Sequence, residues 1–393
     1  MKNILFNKNS NTSVIIAGIL SLFIGVGVAR FSYTSLLPYM LEDGTLSLNF
    51  SGVLASLNYV GYLSGAILAI FIKDFNLKIK LFRIGLFLCV ITTLILGITT
   101  NEILWLISRI VAGFGSAMLL VVGAAIVMMR LNFDDKTKAM GIYFSGIGIA
   151  LSSSDLISRY VLSFATWEAS WIALTLIGAF VLAQPYYVLS IDKNYTKPSG
   201  KQTLDKSVFT PFVFILIFAY FTEGVGFVIQ GTFLPTIIKS LDGLENISGL
   251  TWLLVGLAGI PASIIWMRMA YKHGSVNMII IAMLIQVVGI MIPTLTSNVY
   301  LNLFCGVLYG VTFVGLVALF MNLGGKLAGS HPVILMGALT TAYGIGQVTA
   351  PLYAVKLTTI TGNYDFALYV TAIIVLIGAI TLMVSKKFLN INY

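Results

Sequence analysis

Apolar stretches long enough to cross a bilayer follow one another along almost the whole chain, joined by short polar links. A membrane-spanning helix needs about 20 such residues. By that measure twelve spans are expected, near 13–41, 50–72, 81–99, 103–129, 139–164, 168–190, 209–238, 247–270, 275–294, 299–323, 333–356 and 366–385. Composition agrees: 58% of residues are hydrophobic and 9% charged, where a soluble domain carries about 25% charged residues. So much apolar surface has no place in a water-facing fold. The expected fold class is an all-α, multi-pass membrane protein.

Most links are short, which makes neighbouring spans antiparallel. The longest polar link, Ile191–Ser207, separates six spans from six. This predicts an N-terminal six-helix bundle over 1–190, a cytoplasmic linker over 191–208 and a C-terminal six-helix bundle over 209–393. The net charge is +9, but the basic residues form no separate patch that would serve nucleic acid. Eighteen of the 23 Lys and Arg residues fall in one set of loops, and only Arg159, Lys239 and Lys356 in the other. The positive-inside rule then puts both termini and the central link in the cytoplasm, and the protein in the inner (cytoplasmic) membrane. The polar start Met1–Thr12 runs into an apolar segment too long for a signal-peptide core, so the first helix is expected to stay and act as its own targeting signal. Cys89 and Cys305 lie inside apolar spans without ligand spacing and read as small core residues.

The halves repeat. Ser35-Leu-Leu-Pro38 is set against Thr232-Phe-Leu-Pro235, Phe50-Ser-Gly52 against Ile247-Ser-Gly249, and Gly113 against Gly310, each 197 residues apart. Gly146-Ile-Gly148 matches Gly344-Ile-Gly346 at a spacing of 198. A shift of six spans preserves topology, so the repeats are parallel. Parallel halves about an axis along the membrane normal are the major facilitator arrangement, with substrate near mid-bilayer between the halves.

Over nearly its full length the chain resembles the major facilitator superfamily. Arg109-Ile-Val-Ala-Gly113-Phe-Gly115 is similar to that family's fourth-helix motif, whose arginine the resemblance links to proton coupling. The loop Lys73–Lys80 is a degenerate version of the family's loop after span two, and the Gly-Pro antiporter pattern of span five is absent. Three stretches resemble the YbfB/YjiJ-type bacterial transporters: Ala29–Pro38, Glu223-Gly-Val-Gly226 followed by Thr232–Pro235, and Tyr343-Gly-Ile-Gly-Gln347 followed by Pro351. The resemblance implies that spans one, four, seven and ten line a central cavity.

The charges inside the spans are the candidates for function, because a charge in the bilayer is costly and is kept where it meets water, a counter-charge or a ligand. Arg30 lies in span one, Arg109 in span four and Glu223 in span seven. Arg30 suits bidentate binding of a carboxylate or phosphate, against the alternative of a permanent salt bridge. Arg109 is a substrate and coupling candidate that could instead snorkel toward the interface. Glu223 in a low-dielectric site could carry a proton reversibly, or remain a neutral hydrogen-bonding acid. Asp155 could share the proton-coupling role with Glu223 and Arg109, or pair with Arg159 one turn away. Tyr33, Tyr220, Gln230, Tyr343 and Gln347 could hydrogen-bond a solute, although each also suits a helix–helix contact. No metal site, cofactor, phosphate loop or catalytic triad is expected, and the protein is not expected to be an enzyme.

These readings predict a secondary active transporter of a small anionic or zwitterionic solute. It would work by alternating access, coupled to protons, as a monomer in the lipid bilayer. Phe31, Trp105, Phe227 and Phe313 keep efflux of lipophilic compounds open as the rival. A non-transporting membrane receptor would need larger soluble loops than this sequence has.

Overall fold

The computed structural model describes residues 5–8, 10–72, 74–131, 136–190, 210–328 and 332–388, without the side chains of 136–140 and 332–334. The linker expected at 191–208 lies outside the described residues, as do Lys73 and His331. Among the described residues there is no strand, and ten helices are long and apolar enough to cross a membrane. They are α1 (Asn11–Glu42), α2 (Leu48–Phe71), α3 (Phe75–Ile98), α4 (Glu102–Arg130), α6 (Trp167–Val188), α7 (Pro211–Lys239), α8 (Ser248–His273), α9 (Ser275–Leu295), α10 (Val299–Leu327) and α12 (Asp365–Phe388). Two more long helices, α5 (Lys136–Leu162) and α11 (Pro332–Thr361), pack among them.

Several helices outrun their apolar stretch. The span expected from residue 81 begins at Phe75, because the Asp74 carboxylate accepts from the Asn76 and Leu77 N–H groups at 3.4 and 3.3 Å. Such a cap satisfies two of the donors a helix start leaves open. α10 and α11 likewise run past the expected ends at 323 and 356. Hydropathy follows the hydrocarbon, whereas the backbone stays helical into the polar layer.

Two helices are locally widened. Phe23–Phe31 of α1 and Met118–Val122 of α4 are π-helical. The first closes where the Ser32 N–H donates to the Gly27 carbonyl five residues back, and the Ser32 hydroxyl donates to the same oxygen at 2.9 Å. Such bulges often accompany functional sites, and these lie in the helices that carry Arg30 and Arg109.

Small residues bring the helices close, as is usual in membranes. A Cβ at Gly113 of α4 would collide with the Asn58 carbonyl of α2, and one at Gly310 of α10 with the Val255 carbonyl of α8. The first and second parts of the chain meet mainly where α2 packs on α11, α5 on α8, and α1 on α7. Gly148 of α5 faces the Ile260 backbone of α8, and the Ser263 hydroxyl donates to the Gly141 carbonyl at 3.2 Å. Between α1 and α7, the Thr34 hydroxyl donates to the Gly231 carbonyl at 2.5 Å. That carbonyl is free because Pro235, four residues on, has no N–H to offer it.

Candidate functional site

The π-helical turn of α1 directs Arg30 into the packing between α2 and α7, where the residue is 5% exposed. Its guanidinium lies 4.4 Å from the Tyr62 ring centroid, 4.8 Å from Tyr59, 5.1 Å from Phe31 and 5.9 Å from Phe227. Cation–π contacts of this kind are worth up to about 2 kcal/mol once desolvated. They do not replace hydrogen bonds, and Arg30 Nε and Nη2 have no partner. No ion pair to Arg30 occurs among the described residues.

Arg109 differs. It is 2% exposed, Nη1 donates to the Ala29 carbonyl at 3.0 Å, and the guanidinium lies 4.7 Å from the Tyr33 ring. Rather than reaching for an interface, it braces the backbone just before Arg30. Its own carbonyl accepts from Asn58 Nδ2 at 3.0 Å. Tyr33 completes the brace by donating to the Ser51 carbonyl at 3.1 Å.

Rings extend from Arg30 into the second part of the chain. Phe31 lies 5.9 Å from both Phe227 and Trp252. Phe227 lies 4.5 Å from Phe313 and 5.8 Å from Tyr343. Tyr220 is stacked between Tyr343 at 4.6 Å and Phe320 at 4.3 Å. The Tyr309 hydroxyl donates to the Phe227 carbonyl at 2.9 Å.

Glu223 stands on α7 one turn before Phe227, fully buried. Gln286 of α9 donates Nε2 to Glu223 Oε1 at 3.4 Å, while Oε2 has no partner. Gln230 is turned away from Arg30: its Nε2 faces the Gly289 carbonyl at 3.3 Å and Cys305 Sγ at 3.4 Å. Gln347 is buried with neither amide atom bonded. Asp155 accepts from Arg159 Nε at 2.6 Å and from the Ser35 hydroxyl at 2.8 Å. This pair borders a small hollow of about 30 Å³ between α1, α5, α7 and α8, at the end of the molecule where Lys239 pairs with Glu42.

Arg30 and its ring shell therefore form one centre, Glu223 and Gln286 a second, and Asp155 and Arg159 a third. Sequence reasoning missed Tyr59, Tyr62, Trp252, Tyr309 and Gln286. The pair Tyr59 and Tyr62 carried a signal, since residues three apart share a helix face. So did Gln286, an amide in an otherwise apolar span. No group of His, Cys, Asp and Glu suited to a metal occurs among the described residues.

Residues 22–383 match the family model described as the uncharacterised MFS-type transporter YbfB. The chain is 20% identical to the candidate transporter AraJ of Escherichia coli over 81% of its own length and 84% of AraJ. It is 24% identical to the uncharacterised MFS-type transporter YceJ of Bacillus subtilis over 66% of this chain and 68% of that one. A shorter match, 26% identical over 36% of this chain and 31% of the relative, is to the multidrug efflux pump SdrM of Staphylococcus aureus.

Proposed function

Because the chain belongs to the YbfB family of MFS-type membrane transporters, we propose that it is a secondary active transporter of a small organic anion or zwitterion. It works by alternating access between two six-helix bundles, 1–190 and 209–393, joined by the 191–208 linker. In this reading the chain has twelve spans, and the excess of Lys and Arg in one set of loops puts both termini in the cytoplasm and the protein in the cytoplasmic membrane. The twofold layout is supported by the packing of equivalent positions: Gly113 on the Asn58 carbonyl and Gly310 on the Val255 carbonyl, each residue 197 from its counterpart.

The observation that carries the substrate reading is the Arg30 guanidinium, buried among rings with Nε and Nη2 free. A buried cation without a counter-charge is expensive, and a substrate anion would supply that charge. Arg109 holds the Ala29 carbonyl and so fixes the base of the site. Glu223 is the proposed proton carrier, loaded and unloaded beside Gln286. Counterflow in proteoliposomes across organic acids, sugars and lipophilic cations tests the reading. Arg30→Gln is expected to abolish anion exchange while the protein remains folded, and unchanged anion exchange would refute the assignment.

A second reading, efflux of lipophilic compounds, is favoured by the aromatic cluster of Phe31, Phe227 and Phe313 and by the partial likeness to a multidrug efflux pump. It requires that lipophilic cations cross at a rate Arg30→Gln does not lower.

A further inference from the structure

Resting on the anion-site reading of Arg30, we propose that the solute is an aromatic monocarboxylate. Its carboxylate is held side-on by Arg30 Nε and Nη2, and its ring enters the shell of Phe31, Tyr59, Tyr62 and Phe227.

Three observations set these limits. The first is the free edge. Nε and Nη2 are the two nitrogens of the guanidinium's side, which grips a carboxylate with two parallel N–H bonds. Both are buried without partners, so that edge is desolvated and uncommitted.

The second is the number of such edges. A dicarboxylate needs two cationic sites. Arg109 has one buried unbonded nitrogen, Nε, but no free pair, and its Nη1 already donates to the Ala29 carbonyl while the guanidinium lies over Tyr33. Arg159 holds Asp155, and Lys239 holds Glu42. One uncommitted fork fits one carboxylate.

The third is the surroundings. Four rings lie within 6 Å of the guanidinium, contributed by α1, α2 and α7. An aromatic body can stack or meet these rings edge-on, with a preference beyond its buried area. The ammonium of an amino acid would have no acid here. Glu223 is directed to Gln286 on α9, and a second cation beside Arg30 is repelled by it.

The test is equilibrium binding of radiolabelled benzoate to the full-length protein in detergent, with unlabelled competitors. Benzoate is expected to outcompete cyclohexanecarboxylate by about three- to tenfold, the stacking preference of one ring. Phthalate, acetate and phenylalanine should compete more weakly. Arg30→Lys, which keeps the charge and loses the fork, should cost at least about tenfold in affinity. Phe227→Leu should erase the preference for benzoate over cyclohexanecarboxylate while carboxylate binding persists, and this holds as the test if Arg30→Lys does not fold. Equal affinity for the two ring acids, or tighter binding of phthalate or phenylalanine, would overturn the aromatic monocarboxylate and leave the anion site standing. Binding of a lipophilic cation with no carboxylate binding would overturn the anion site itself.

Discussion

Lys239, in the last turn of α7, pairs with Glu42, the last residue of α1, and the two stand 197 positions apart. The same separation joins Thr34 to Gly231 two turns deeper. It also joins Arg30 to Phe227, whose ring lies 5.9 Å from the guanidinium. Residues that meet their own counterparts along α1 and α7 are what the proposed twofold axis between like halves requires. The ion pair closes this seam at one end, with Glu42 largely exposed. Exposed pairs are worth about 0.2–1 kcal/mol, a shift in population of at most about fivefold. Glu42→Lys is therefore expected to raise maleimide labelling of a cysteine placed at Ser248, on the nearby hollow, by a factor within that limit. The exchange Glu42→Lys with Lys239→Glu should return labelling to the starting level. Labelling that ignores both changes would mean the pair does not bear on opening.

The Thr34 hydroxyl is required by a proline on the facing helix. Pro235 leaves the Gly231 carbonyl without its helical donor, and Thr34 supplies one at 2.5 Å in a buried setting. Thr34→Val strands that oxygen and is expected to cost about 1–3 kcal/mol, read as a fall in thermal midpoint of the purified protein. Thr34→Ser should retain most of the stability. In Pro235→Ala the backbone N–H returns, so adding Thr34→Val should cost much less than it does in the parent. Equal costs in both backgrounds would show that the two residues are independent.

The seam between α5 and α8 distinguishes two glycines that look alike in sequence. A Cβ at Gly148 would run into the Ile260 backbone nitrogen, which cannot yield without moving the helix. A Cβ at Gly141 would sit 3.5 Å from Ile264 Cγ1, an ordinary contact. Gly148→Ala is expected to slow transport at least severalfold by holding α5 and α8 apart, at about 1–3 kcal/mol of overpacking. Gly141→Ala should transport at the parent rate. Matching rates for the two variants would place no functional demand on the close approach.

Ten of the spans were legible because they depend on a one-dimensional quantity, hydropathy. The one-turn spacing of Asp155 and Arg159 made their pairing legible for the same reason. Side-chain direction was not. Gln230 and Phe227 are one turn apart, yet Phe227 faces Arg30 while Gln230 faces Cys305. Span-wide apolarity hides which face is lipid and which is protein, because both are equally oily. The π-helical turn adds to this, since it rotates Arg30 out of ordinary helical register. The spacing of Tyr59 and Tyr62 puts both on one face of α2, but that this face meets Arg30 of α1 is a tertiary relationship the spacing does not encode.

Glu223 offers the sharpest test of coupling, because its substitution can be made almost isosteric. Gln286 Nε2 donates to Oε1, and Oε2 is free. In Glu223→Gln the amide oxygen can keep the bond to Gln286, and the new NH2 takes the place of the unbonded oxygen. The fold should therefore survive, with a thermal midpoint close to that of the parent. The site loses the ability to take up and release a proton. If Glu223 carries the coupling proton, the variant should still exchange labelled for unlabelled solute, since exchange does not require net proton movement. It should fail to accumulate solute against a pH gradient, where one proton per solute and one pH unit would sustain about a tenfold ratio. Gln286→Leu leaves the carboxyl ionisable but removes its donor, so it should shift the pH profile of transport rather than uncouple it. Accumulation that persists in Glu223→Gln would assign the proton to another group, with Asp155, held by Arg159 and Ser35, the next to test by the same substitution.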